Sequence, residues 1–251
     1  MIKRLVLRLL AAVGLLLVAA VIGFVIWGST PQAATDVALQ ALVSDSAVVV
    51  ETDPWLTFSP VGETPQAGLI VYPGGHVDPR AYAPLAREIA ARGYRVVIVP
   101  MPLALAVMAP DKAVDVMAEN PTVSSWAIGG HSLGGAMAAR FAYTHPDAVD
   151  GLVLWAAYPA STDDLSGFDL MTASIYGTLD GLSTGEKIDA SRPLLPASTR
   201  WVAIEGGNHA QFGDYGRQAG DGTATIPAAG QQAQAAEATS GLLEAMLDST
   251  R

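Results

Sequence analysis

Ile128-Gly129-Gly130-His131-Ser132-Leu133-Gly134-Gly135-Ala136 sets one serine among glycines, and residues 130–134 (GHSLG) fit the pattern G-x-S-x-G. A five-residue match of this kind arises readily by chance in a glycine-rich chain, so its neighbours decide its meaning. Residues 124–129 (SSWAIG) read as a strand, and residues 132–144 as a helix ended by Pro146. The serine therefore stands on a sharp turn from strand to helix. Glycines at 130 and 134 remove Cβ atoms that would clash there, and Gly135 and Ala136 let the helix approach the sheet. The amide end of the helix puts partial positive charge beside the hydroxyl. A serine so placed is expected to be a nucleophile rather than a simple helix cap.

Outward from this turn, apolar runs rich in β-branched residues alternate with helical patterns. Residues 47–51 and 56–59 read as a strand pair, and residues 68–72 (GLIVY) as a buried strand ending at Pro73-Gly74-Gly75. Further strands are expected at 95–99, 149–155, 172–177 and 200–205, with helices at 80–92, 103–118 and 226–247. Continuous apolar strands separated by helices predict a mostly parallel sheet covered on both faces, an α/β fold. No internal repeat or second domain is visible. The short stretch between residues 155 and 172 leaves no room for a sizeable cap domain.

A serine hydroxyl needs a base, and the base needs an acid to orient it. Of the four histidines, His209 follows the strand at 200–205, in the loop Gly206-Gly207-Asn208-His209. The carboxyl end of a late strand is where ligand chemistry collects in an open α/β sheet, so His209 is the expected base. His131 is held beside the serine and expected to point away from the reacting face, and His145 is expected at the surface. In strand–turn–helix serine sites the partners follow in the order serine, acid, histidine. Asp180, in Gly177-Thr178-Leu179-Asp180-Gly181, fits that order; Asp163, Asp164, Asp169 and Asp189 read as surface acids. The oxyanion needs amide donors. Leu133 is expected to supply one, and Gly75 or His76 the other, from the loop Pro73-Gly74-Gly75-His76-Val77. Gln211, Phe212, Asp214 and Tyr215 follow His209 closely enough to shape a pocket or pack at its rim.

With 51% hydrophobic and 15% charged residues, the chain can bury a large core, which argues against disorder. The net charge is −10, and beyond Lys3, Arg4 and Arg8 the rest carries 11 basic against 24 acidic residues, or −13. A domain this acidic repels phosphate backbones, so nucleic acid is not an expected partner. The absence of cysteine excludes disulfides and thiolate nucleophiles. No metal-ligand spacing or phosphate loop is visible, so no metal or organic cofactor is expected. Residues 1–8 form a basic flank, and residues 9–27 (LLAAVGLLLVAAVIGFVIW) are uncharged on every face. Nineteen residues make a helix of about 28 Å, close to a hydrocarbon core of roughly 30 Å. The expectation is an uncleaved signal-anchor helix, with the flank cytoplasmic and the rest outside. A signal peptide cleaved near Gln32-Ala33-Ala34, giving a secreted domain, is the alternative. Residues 28–46 read as a stalk and 47–251 as the folded domain.

GHSLGG, the loop VYPGGHVDPRAYAPLA, the acid in YGTLDGL and the histidine in EGGNHAQFGDYG together resemble an α/β hydrolase. They are most similar to a capless bacterial group often called the α/β hydrolase fold-5 family, related to the dienelactone hydrolases, over residues 45–247. The resemblance implies an eight-stranded, mostly parallel sheet and a triad of Ser132, Asp180 and His209. The chain departs from lipase-like members in having Tyr-Pro-Gly-Gly-His where they have His-Gly-Gly-Gly, and it lacks the cysteine nucleophile of dienelactone hydrolases. The expected activity is that of a serine hydrolase of the carboxylesterase type, acting on a small-molecule or lipid ester through an acyl-enzyme. An acyltransferase using the same intermediate, and a silent binding domain displayed at the membrane, are the alternatives.

Overall fold

The computed structural model describes residues 2–249. Eight strands form one sheet: β1 (Val48–Glu51), β2 (Leu56–Pro60), β3 (Ala67–Tyr72), β4 (Arg95–Ile98), β5 (Ser125–His131), β6 (Gly151–Trp155), β7 (Met171–Gly177) and β8 (Arg200–Ile204). Their order is β1-β2-β4-β3-β5-β6-β7-β8. β1 pairs antiparallel with β2 and β2 with β4, and every later pairing is parallel. The crossover of β3 and β4 sets β5 beside β3, with Tyr72 opposite Gly130. The loops after β3 and β5 therefore emerge side by side at the carboxyl edge of the sheet.

The central strands are apolar on both faces because helices cover both. Leu69 and Val71 of β3 turn to a cluster that includes Leu85 and Ile89 of α3 (Ala83–Ala90) and Leu242 and Met246 of α7 (Ala228–Ser249). Ile70 and Tyr72 turn the other way, to Val116 of α4 (Ala113–Glu119) and Phe141 of α5 (Leu133–Thr144). Each fully buried aliphatic side chain contributes about 1.5–3 kcal/mol relative to exposure. Residues 156–170 between β6 and β7 hold turns and no helix or strand, so no cap rises from the sheet.

The expected helix at 103–118 is corrected to a shorter one. Only α4 is helical there, preceded by two single 3₁₀ turns at Pro102–Ala104 and Ala106–Met108. Leu103 and Ala104 lie in the left-handed region at φ 52° and 53°, a departure that costs about 1–2 kcal/mol per residue. Two features divert the chain: Pro110 lacks a donor and restricts the residue before it, and the Ala104 carbonyl accepts the His76 N–H at 2.8 Å. Tertiary bonding here overrides helical propensity.

At the N-terminus, α1 (Ile2–Gly28) contains a 23-residue apolar span, Val6–Gly28, none of whose most apolar window is buried. That span is about 34 Å long. It is long and apolar enough to cross a membrane, and it fits either an anchor or a signal sequence. Beyond it, the segment read as a stalk packs on the domain. Gln32 bridges to Val77, Thr35 bonds Asp214 through both its amide and its hydroxyl, and Ala38 of α2 (Asp36–Gln40) is fully buried.

Candidate active site

Ser132 sits between β5 and α5 at φ 53°, ψ −121°, a conformation that L-residues avoid unless their surroundings impose it. The surroundings here are backbone. A Cβ on Gly130 or Gly134 would overlap the Tyr72 carbonyl, because β5 and α5 both press against the end of β3. The Ser132 amide donates to the Trp155 carbonyl at 3.0 Å, and the side chain makes no capping bond to its own helix. Ser132 is half-buried and the Leu133 amide begins α5, where an N–H has no partner within the helix.

His209 and Asp180 come together from loops after β8 and β7. The His209 ring donates through Nδ1 to Asp180 Oδ2 at 2.8 Å, and both side chains are almost wholly buried. Asp180 Oδ1 accepts the Leu182 and Ser183 amides, each at 2.7 Å. Three bonds accepted across both oxygens fix the carboxylate, and facing an acceptor the His209 ring carries its proton on Nδ1. His209 Nε2 carries the lone pair and has no hydrogen-bond partner among the described residues, Ser132 Oγ included. Such bonds are often long until substrate is bound.

Nothing in the residue order pointed to the groups that hold this pair. The Asp221 carboxylate accepts the His209 amide at 3.1 Å and the Ala210 amide at 2.9 Å, and it also accepts the Gly181 amide at 3.2 Å. One half-buried acid therefore ties the loop of the histidine to the loop of Asp180. Gln231 of α7 brackets the same loop, accepting the Asn208 amide at 2.9 Å and donating to the Asn208 carbonyl at 2.7 Å. The sequence signal was weak, since Gln231 is one of three glutamines in the first turns of α7.

His131 corrects an expectation. Its ring is turned under His209, 4.5 Å between centroids, rather than away from the reacting face. Tyr82 Oη accepts the Gly74 amide at 2.9 Å and has one proton left, which it gives to His131 Nδ1 at 2.9 Å. Burial, and then the proximity of His209, hold the His131 pKa well below 6.5, so the ring stays neutral. Burial likewise raises the Tyr82 hydroxyl above its ordinary value. Phe212 and Tyr215 are core residues packed around His131, at 5.9 and 6.3 Å, and not a pocket rim. Asp214 receives the Thr35 hydroxyl, and Gln211 reaches the Ile226 carbonyl at 3.2 Å. A recess of about 460 Å³ beside this loop is lined by Asn208, Gln211, Asp214, Arg217 and Asp221, among others. Asp163 is also buried, not at the surface, and pairs with Arg140 at 2.6 Å.

The loop after β3 separates the two oxyanion candidates. The His76 amide is already bonded to the Ala104 carbonyl. The Gly75 amide has no acceptor among the described residues, and a Cβ at Gly75 would lie 3.0 Å from Leu133 Cδ2, so Gly75 and Leu133 adjoin. The His76 ring instead faces α1, stacked on Trp27 at 4.2 Å with Nε2 2.7 Å from the Trp27 carbonyl.

Residues 68–233 match the model of the alpha/beta hydrolase family. No curated protein matches the chain. Among solved structures, the chain is similar to an esterase domain from a Rhodothermus marinus protein, with TM-score 0.57 and 13% identity over 74% of this chain and 90% of that one. It is similar to a predicted CIB-like hydrolase from Thermoplasma acidophilum, with TM-score 0.53 and 15% identity over 66% and 90% of the two chains. A third match is MGS-MChE2, an alpha/beta hydrolase enzyme from the metagenome of Mar Chica lagoon sediments in Morocco, with TM-score 0.51 and 17% identity over 65% and 90%. At these identities the likeness is one of fold.

Proposed function

The chain belongs to the alpha/beta hydrolase family, and from that premise we propose that it is a serine hydrolase of carboxylic esters with Ser132, His209 and Asp180 as its triad. The observation that carries the reading is a buried histidine whose Nδ1–H is held by a fixed carboxylate while its Nε2 is left bare, at the same edge of the sheet as a serine forced into left-handed backbone. Ser132 Oγ bonds to the substrate carbonyl carbon as its proton passes to His209 Nε2. The carbonyl π pair moves to oxygen, where the Leu133 and Gly75 amides receive it. Collapse of the adduct breaks the carbon–oxygen bond to the alcohol, which leaves with the proton from His209. Water then gives a proton to Nε2, attacks the acyl carbon and releases the acid, and Oγ recovers its proton. Asp180 orients the ring and stabilises the imidazolium formed in each half-reaction.

We read α1 as a retained anchor, with residues 1–8 cytoplasmic and the domain outside. Support comes from length: the apolar span Val6–Gly28 has 23 residues, against about 7–15 in the apolar region of a cleaved signal peptide.

The test is labelling of the full chain in detergent by a fluorophosphonate, with the adduct mapped by peptide mass. Wild type is expected to carry the label on Ser132. Ser132→Ala is expected to be unlabelled, equally stable, and at least roughly 10⁴-fold slower on a soluble ester. Labelling elsewhere, or an active Ser132→Ala, would overturn the triad.

A further inference from the structure

The stretch Met-Pro-Leu-Ala-Leu-Ala-Val-Met-Ala-Pro at residues 101–110 carries no charge in ten residues. It is not core: Val107 and Met108 are 52% and 53% exposed, and Leu103 and Leu105 are half-buried. It lies at the carboxyl edge of the sheet, where the loops of Ser132 and Gly75 also emerge. Two contacts give it direction. At one end it abuts α1, where a Cβ on Gly28 would sit 3.2 Å from Leu103 Cδ2. In its middle it reaches the proposed oxyanion site, where a Cβ on Gly75 would sit 3.7 Å from Leu105 Cδ2 and 3.5 Å from Leu133 Cβ. Gly28 closes the apolar span, and Gly75 and Leu133 flank Ser132. A line of leucines at 103, 105 and 133 therefore joins the end of the span to the serine.

We propose that residues 101–110 dip into the outer-leaflet interface beside α1 and pass acyl chains of bilayer-borne, uncharged or zwitterionic esters to Ser132. The delivery step rests on the triad reading, and the docking only on the reading of α1 as a retained anchor. Continuity with α1 selects a bilayer as the occupant. The loop starts at the level where the span ends, and large exposed apolar side chains there are better placed among acyl chains than in water. Charge selects the lipid class. No basic residue lies between Arg95 and Lys112, and the domain is strongly acidic, so anionic headgroups are not what holds it. Insertion of this kind is apolar and insensitive to salt.

A cysteine-free chain makes the test direct. Val107→Cys, Met108→Cys and, as control, Val61→Cys are labelled with an environment-sensitive fluorophore in the full chain, reconstituted in phosphatidylcholine vesicles. Val61 is 46% exposed but follows β2, which runs antiparallel to β4, and so lies at the opposite edge of the sheet. Shallow doxyl-lipids are expected to quench the labels at 107 and 108 at least threefold more than at 61, unchanged by salt. Equal quenching at all three positions would overturn the docking. In the same vesicles, Val107→Asp/Met108→Asp is expected to lower the ratio of hydrolysis of a vesicle-borne long-acyl ester to that of a soluble short-acyl ester by at least fivefold. An unchanged ratio would overturn delivery with docking intact. A wild type that cleaves neither ester defeats the triad reading and delivery with it, while the quenching still decides docking.

Discussion

Ser132 and His209 are positioned by opposite means. Ser132 sits on contiguous residues, β5, a turn with glycine on either side and the first turn of α5, pressed against the end of β3. Its conformation is imposed by steric exclusion between backbones. His209 sits on irregular chain, and its orientation depends on Asp180, Asp221 and Gln231, which lie 29, 12 and 22 residues away in sequence. Local sterics fail abruptly when violated. A polar network weakens by steps, because each bond removed leaves others in place.

The sharpest way to break the comparison is at the turn. Gly134→Ala drives a Cβ into the Tyr72 and Pro73 carbonyls, neither of which can move without distorting β3. It is expected to cost at least about 3 kcal/mol of stability and to abolish activity, read by thermal unfolding and ester turnover. Gly167→Ala, where a Cβ meets open space, is the matched control and should change neither. A stable, active Gly134→Ala would show that the turn is not held sterically.

On the histidine side, Asp221→Ala removes the acceptor for the amides of His209, Ala210 and Gly181. The expected result is a kcat about 10–100-fold lower with KM within about threefold, because a misplaced base weakens the transition state more than substrate binding. Asp221→Asn keeps an acceptor oxygen for the amides gathered on Oδ1 and should recover most of the loss. A variant that is less stable but fully active per folded molecule would make Asp221 structural only.

The smallest effect is electrostatic. The folded pKa of His131 lies below its unfolded value near 6.5, so under acid the unfolded chain binds a proton that the folded chain refuses. This contribution is complete above pH 6.5 and is lost as pH falls below it, with a slope of at most about 1.4 kcal/mol per pH unit. Unfolding measured from pH 7.5 to 5 should show that slope in wild type and a shallower one in His131→Gln. Parallel slopes would place the acid sensitivity elsewhere.

The strands, the parallel sheet and the apolar span were legible in the sequence, as was the placing of Asp180 and His209 on consecutive late loops. Periodicity, glycine placement and chain order are carried by neighbouring residues. The helix expected through residue 103 failed because the Ala104 carbonyl is claimed by His76, 28 residues earlier in the chain. The turn of His131 beneath His209 was illegible for the same reason, since Tyr82 and Gly74 come from the β3 side.

By itself, then, the sequence determined a serine at a strand-to-helix turn in an α/β sheet behind a helix able to span a bilayer, because backbone sterics and hydrophobic period act over a few residues. Only the tertiary structure decided which amide beside Ser132 stays free, which acid ties the two loops together, and where residues 101–110 lie relative to α1. Those are choices of partner for buried polar and apolar groups, and they are made by segments that meet only when the sheet is assembled.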